Sequence, residues 1–182
     1  MTATASAAEK LVYAPVFQAL STGLGQRKTL AFVDEVRRIG INFDKLLPGY
    51  PYPLFEQTVL AAAKLFAERA NADAIAEVGR VLTLATIDQS PVGKHLLPLL
   101  KVMGTGRALR RVYSKSTGEN YNRVSFGAET PTSLEMSMSD VGNIPDMARG
   151  SVLALGEAMG VALRVRIKSF QAPKVSYLIE WG

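Results

Sequence analysis

The chain has 182 residues, 48% of them hydrophobic and 20% charged, with a formal net charge of +5. That length and balance fit one globular domain and exclude a disordered chain, and no apolar run approaches the roughly 20 residues that span a bilayer. Cysteine is absent, which excludes disulfides, thiolate metal sites and cysteine nucleophiles.

The charge is uneven. Residues 1–100 hold ten Lys and Arg against nine Asp and Glu, and residues 101–182 hold eleven against seven. A basic half of this size attracts phosphates or an acidic partner, but no nucleic-acid-binding motif accompanies it.

Met1 to Lys10 is small and polar, without the basic start or apolar stretch of a secretory signal, and reads as a frayed tail. Leu11 to Leu20 reads as a short extended entry followed by a helix that Pro15 opens. Gly23 and Gly25 punctuate it. A second helix is expected from Gln26 to Ile39, apolar at Leu30, Phe32, Val33 and Val36 and stopped by Gly40. Ile41 to Pro53 holds three prolines and a glycine and reads as a loop.

The next helix is expected from Pro53 to about Ala70. Asn71 or Asp73 caps another that carries Ile75, Val78, Leu82 and Leu84. Ser90 and Pro91 restart a helix through Leu96, Leu97, Leu99, Leu100 and Met103, with Pro98 as a mid-helix kink. Gly104 and Gly106 break it before a short basic helix, Arg107 to Tyr113.

After Gly118 the apolar period changes to two. Asn120 to Phe126 and Pro131 to Ser139 read as strands, with Leu134, Met136 and Met138 on one face. Met147 to Met159 reads as a helix whose small residues, Gly150 among them, suit close packing on a sheet or on a second copy of the chain. Leu163 to Phe170 and Pro173 to Trp181 read as a hairpin around Gln171 and Ala172. The expected fold class is therefore α+β: one domain over residues 1–182, with a helical half (11–115) packed on a four-stranded antiparallel sheet in β-β-α-β-β order (119–182).

Candidate chemistry is sparse. His95 is the lone histidine. It is read either as a helix-surface residue or as an axial haem ligand or general base. One histidine and no cysteine leave a zinc site short of ligands, and no serine sits in a Gly-x-Ser-x-Gly elbow. Gly23 to Lys28 lacks the spacing of a phosphate loop. Arg107, Arg110 and Arg111 share one helix face, with Lys115 one turn on. Together with Arg123 they form a candidate anion-binding patch, or a solvated face. Arg164, Arg166 and Lys168 alternate with Val165 and Ile167, as on a strand with one wet face.

Two groups of residues carry a resemblance. Ile39-Gly40-Ile41-Asn42 with Pro48-Gly49-Tyr50-Pro51, and Glu119-Asn120-Tyr121 with Arg149-Gly150, resemble an uncharacterised family found as many paralogues in myxobacteria. The order of elements is similar to the superfamily of haem nitric-oxide sensors, 4-vinyl reductase-type ligand domains and TRAPP transport subunits. In the haem sensors a histidine precedes the sheet and a Tyr-x-Ser-x-Arg motif follows in a strand. Here His95 precedes the sheet, and the nearest counterpart of the motif is Met136-Ser137-Met138-Ser139-Asp140, without its tyrosine and arginine.

The lack of catalytic residues together with these resemblances leads us to expect a non-enzymatic regulatory domain, homodimeric and without a resident cofactor, and the absence of cysteine and of a secretory signal leads us to expect it in the cytoplasm. It would bind a small hydrophobic ligand between helices and sheet, signalling partners, or both. The alternatives are a ligand-free interaction scaffold, a haem sensor using His95, and a nucleotide- or nucleic-acid-binding domain using the arginines.

Overall fold

A computed structural model describes residues 10–115 and 123–182. The chain opens with strand β1 (Leu11–Tyr13) and helix α1 (Ala14–Leu24), then a single 3-10 turn (Gly25–Arg27) and α2 (Leu30–Ile39). Strand β2 (Gly49–Pro51) and helices α3 (Tyr52–Ala63), α4 (Ala72–Gln89), α5 (Pro91–Met103) and α6 (Thr105–Lys115) complete the helical half. The second half holds β3 (Val124–Thr130), β4 (Ser133–Met138), α7 (Pro145–Met159), β5 (Leu163–Gln171) and β6 (Lys174–Trp181). Its sheet is antiparallel, in the order β3-β4-β6-β5, so the α+β class and the β-β-α-β-β order are as expected.

Local chemistry explains the boundaries. The second helix starts at Leu30 rather than Gln26 because Thr29 caps it, its Oγ1 accepting from the Phe32 amide at 3.2 Å; Gly40 ends it in the left-handed region. The expected loop contains β2, which pairs with β1. Helix α3 stops at Ala63, seven residues early. Beyond it the amides of Lys64, Leu65 and Phe66 bond three residues back, tightening the chain and leaving Leu65 and Phe66 packed on the core. Asn71, not Asp73, caps α4, its Oδ1 accepting from the Ala74 amide at 2.9 Å. Ser90 caps α5 in the same way. The expected strand start at Asn120 lies outside the described residues. β3 runs past the expected end at Phe126 to Thr130, with a bulge between Phe126 and Glu129.

The buried residues form two clusters. One gathers Phe17, Leu20, Val36, Val59 and Val78 among the helices. The other gathers Leu100, Leu109, Met136, Val152 and Tyr177 between helices and sheet. They meet where α4 crosses α7. A Cβ on Gly79 would collide with the Met147 carbonyl, and one on Gly150 with the Ala76 carbonyl, so the two backbones touch only because both positions are glycine. The small-residue helix thus spends its close approach on α4, inside the chain.

Arg149 clamps the same crossing. It donates to Asp146 at 2.7 Å within α7, and to Asp73 at 2.9 Å and the Ala72 carbonyl at 3.1 Å on α4. Tyr177 anchors the sheet beneath. Fully buried on β6, it donates its hydroxyl to the Pro145 carbonyl at the start of α7, at 2.6 Å.

Two outcomes follow. Gly150→Val costs about 3 kcal/mol or more in chemical denaturation, because a backbone collision cannot relax as a side-chain clash does. Gly160→Ala costs only about 1–2 kcal/mol, since that left-handed position faces open space. Burial also raises the Tyr177 hydroxyl pKa well above its ordinary value. Its contribution to stability is therefore complete below pH 10 and is lost as pH rises beyond it. In Tyr177→Phe the unfolding free energy falls less between pH 9 and pH 11 than in the parent chain.

Candidate functional site on the outer face of the sheet

Alternation divides the sheet's side chains. Leu134, Met136 and Met138 on β4 and Val175, Tyr177 and Ile179 on β6 point inward and are buried. The residues between them point outward, and directly opposed residues of antiparallel strands share a face. Ser125 opposes Ser137, Ser137 opposes Ser176, and Ser176 opposes Ser169. The register thus lays four hydroxyls in one row across all four strands, neighbours about 4.8 Å apart at the backbone. Ser137 and Ser176 share a 2.7 Å hydrogen bond.

A second row lies one pleat along. The Ser139 amide donates to the Arg123 carbonyl at 2.9 Å, placing Arg123 beside Ser139. Lys174, one step beyond the Met138–Val175 pair, stands on the other side. Apart from Ser169, the two rows line a hollow of about 900 Å³ to which Val124, Met138 and Val175 also contribute. Asp140 closes one rim. Its backbone is left-handed (φ 63°), a conformation that aspartate tolerates better than most residues, and its carboxylate accepts from the Ser139 hydroxyl at 3.0 Å. Lys10 donates to the Asp140 carbonyl at 2.5 Å and lies 3.9 Å from the centre of the Tyr52 ring. Desolvation lowers the Lys10 pKa, against the attraction of Asp140 and Glu56. Beyond the serine row, Lys168 pairs with Glu135.

The cations of this half have different fates. Arg110 pairs with Glu129 at 2.7 Å and lies over the Phe126 ring. Arg166 pairs with Glu180 at 3.0 Å. Among the described residues no ion pair involves Arg123 or Lys174, and both line the hollow. The four arginines of the expected patch are not brought together. Arg107 and Arg111 are exposed on α6, Arg110 is tied to the inward-facing Glu129, and Arg123 stands on the outer face, about 20 Å along β3 from that pair.

His95 is exposed on α5. The space between helices and sheet, where a ligand was expected, is filled by Leu100, Leu109, Leu134, Met136, Tyr177 and Ile179, each at most 4% exposed. A haem needs an inward-facing ligand and room for a porphyrin; the exposed His95 and this apolar packing do not fit one. Met136 and Met138 line the buried face, while Ser137 and Ser139 between them belong to the outer rows. No group of three or more His, Asp or Glu side chains among the described residues could hold a metal ion.

The serine row was missed in the sequence. Each strand carries an outward serine at a matching position, but only the order β3-β4-β6-β5 and its register bring the four together.

Residues 10–182 match the profile of a family described as "Protein of unknown function (DUF2378)". No curated protein sequence matches the chain significantly. Among solved structures the fold is similar to H-NOX domains. An H-NOX protein from S. oneidensis in the Fe(II) ligation state matches with a TM-score of 0.67 at 12% identity, covering 94% of this chain and 96% of the other. An oxygen-binding H-NOX domain related to soluble guanylate cyclases matches at 0.65 and 13% identity, covering 93% and 95%. An Fe(II) unliganded H-NOX protein from K. algicida matches at 0.63 and 12% identity, covering 94% and 97%. At such identities the likeness shows a common fold.

The geometry gives an expected outcome. Truncating Arg110 to Ala exposes the apolar edge it covers and leaves Glu129 unpaired, lowering stability by about 1 kcal/mol. Arg107→Ala stays within about 0.5 kcal/mol; urea titrations read both.

Proposed function

The chain belongs to the DUF2378 family, and on that premise we propose that it is a regulatory module without catalytic chemistry of its own, which binds a small ligand and passes the binding to a partner. Two things support the reading. The fold it shares over nearly its whole length is one that, in a neighbour, binds oxygen in a domain related to soluble guanylate cyclases. The observation that carries it is the hollow on the outer sheet face, where a row of hydroxyls stands beside two cations that have no ion-pair partner among the described residues. The ligand is then polar, not hydrophobic, because the apolar interior is already filled.

On the same reading the module works in the cytoplasm, and its kin include the myxobacterial paralogues and the 4-vinyl reductase and TRAPP-type domains. No described helix is long and apolar enough to cross a membrane.

A second reading, an interaction scaffold that pairs with another copy of the chain, is favoured by α5. Leu99 is 61% exposed and Val102 88%, with Leu96 and Met103 exposed beside them. Their three- and four-residue spacing makes one apolar stripe, and a like stripe on a second copy would cover it in a two-fold helix pair.

Thermal melting of the purified chain against a metabolite panel separates the readings. A ligand at a hundred times its Kd adds about 2.7 kcal/mol, raising Tm by roughly 5–10 °C for a domain of this size. Iron protoporphyrin gives no stoichiometric absorbance change. If no compound shifts Tm, the sensor reading fails. If light scattering then shows a dimer that Leu99→Glu with Val102→Glu dissociates, the scaffold reading takes its place.

A further inference from the structure

Arg123 and Lys174 stand on either side of Ser139, two strand spacings apart, about 10 Å between backbones. Both are exposed, and their long side chains put both heads within reach of a single group above Ser139. A group shared by two cations is anionic. Among the described residues neither has a carboxylate partner, whereas Arg166 and Lys168 on β5 each have one. Asp140 lines the same hollow and its carboxylate accepts from Ser139, but among the described residues no ion pair joins it to Arg123 or Lys174.

The adjoining serine row adds a different chemistry. Each hydroxyl carries one donor and two acceptor lone pairs. The bond between Ser137 and Ser176 uses one hydrogen of that pair, leaving the other hydrogen and the remaining lone pairs free to face the hollow. Neutral hydroxyls of a ligand suit such a row, because they too both donate and accept. At about 900 Å³ the hollow is of the size that takes a whole small molecule, far larger than a lone inorganic anion requires.

We propose that this hollow binds a small polyhydroxylated molecule bearing one phosphate or carboxylate, with the oxyanion between Arg123 and Lys174 and the hydroxyls along Ser125, Ser137 and Ser176. The assignment rests on the reading of the chain as a ligand-binding module and specifies what that module binds.

Isothermal titration of the full chain with a hexose phosphate, a hexuronate, the neutral hexose and inorganic phosphate tests it. At least one of the two sugar oxyanions binds with one-to-one stoichiometry, and which of them is tighter identifies the anion. The neutral hexose binds at least tenfold more weakly. The double variant Arg123→Gln/Lys174→Gln loses about tenfold or more, as expected for two charge-assisted contacts. The charge-matched control Arg107→Gln/Arg111→Gln on α6 stays within twofold of the parent. Ser137→Ala weakens the sugar oxyanion severalfold and leaves inorganic phosphate unchanged. All these substitutions lie on exposed or half-buried positions, and an unchanged melting temperature confirms that each variant is folded.

The proposal is overturned if neither sugar oxyanion binds, if the neutral hexose binds as tightly, or if the control variant loses as much as the Arg123/Lys174 pair. A ligand from the wider panel that raises Tm equally in the parent and in Arg123→Gln/Lys174→Gln would overturn this site and leave the regulatory reading standing. The absence of any Tm shift would remove both.

Discussion

The contact between the α4 and α7 backbones is the constraint on which the rest depends. Helices normally stand 8–10 Å apart, separated by their side chains. Here glycine at positions 79 and 150 removes that separation, and carbonyls of the partner helix occupy the space a methyl would take. Helix α4 belongs to the helical cluster and α7 to the cluster under the sheet, so this crossing makes two cores behave as neighbours with a fixed orientation. Arg149 reinforces it from the side by bridging carboxylates of both helices.

That packing decides where recognition is available. With α7 held against α4, its opposite side lies on the inner face of the sheet, and Met136, Tyr177 and Ile179 are consumed as core. A fold resembling that of H-NOX domains is therefore built here around a filled interior. The outer face of the sheet inherits the polar residues that alternation leaves over. It becomes a surface with its own order, because strand register aligns like residues into transverse rows. Cations with carboxylates opposite them are neutralised in place. Arg123 and Lys174, next to serines, have no such partner among the described residues.

Much of this was legible from residue order and much was not, for separable reasons. Period-two stretches such as Ser133–Met138 identified the strands and their buried faces, since alternation is a local property. Asn71 and Ser90 marked helix starts because capping needs only three or four neighbouring residues, whereas the Thr29 cap was passed over for a start at Gln26. The early end of α3 was hidden: Leu65 and Phe66 continue an apolar pattern while the chain has already tightened into turns. The arginine patch failed through tertiary context. Helical spacing correctly put Arg107, Arg110 and Arg111 on one helix, but Glu129, distant in sequence, claims Arg110. The serine row is a property of strand order alone, and no stretch of sequence contains it. Gly150 was noticed as a small residue on a helix, while its role became visible only with the Ala76 carbonyl in place.

The central claim is that the interior between helices and sheet is closed by packing and that the outer sheet face is what remains for ligands. Amide chemical-shift mapping of the isotope-labelled chain, titrated with a sugar oxyanion, measures this residue by residue. The account predicts shifts concentrated at Arg123, Ser125, Ser137 to Asp140 and Lys174 to Ser176, with Leu100, Leu109 and Val152 unmoved. Shifts clustered instead at Leu100, Leu109 and His95 would contradict it, by placing the binding site inside the packing described here as closed.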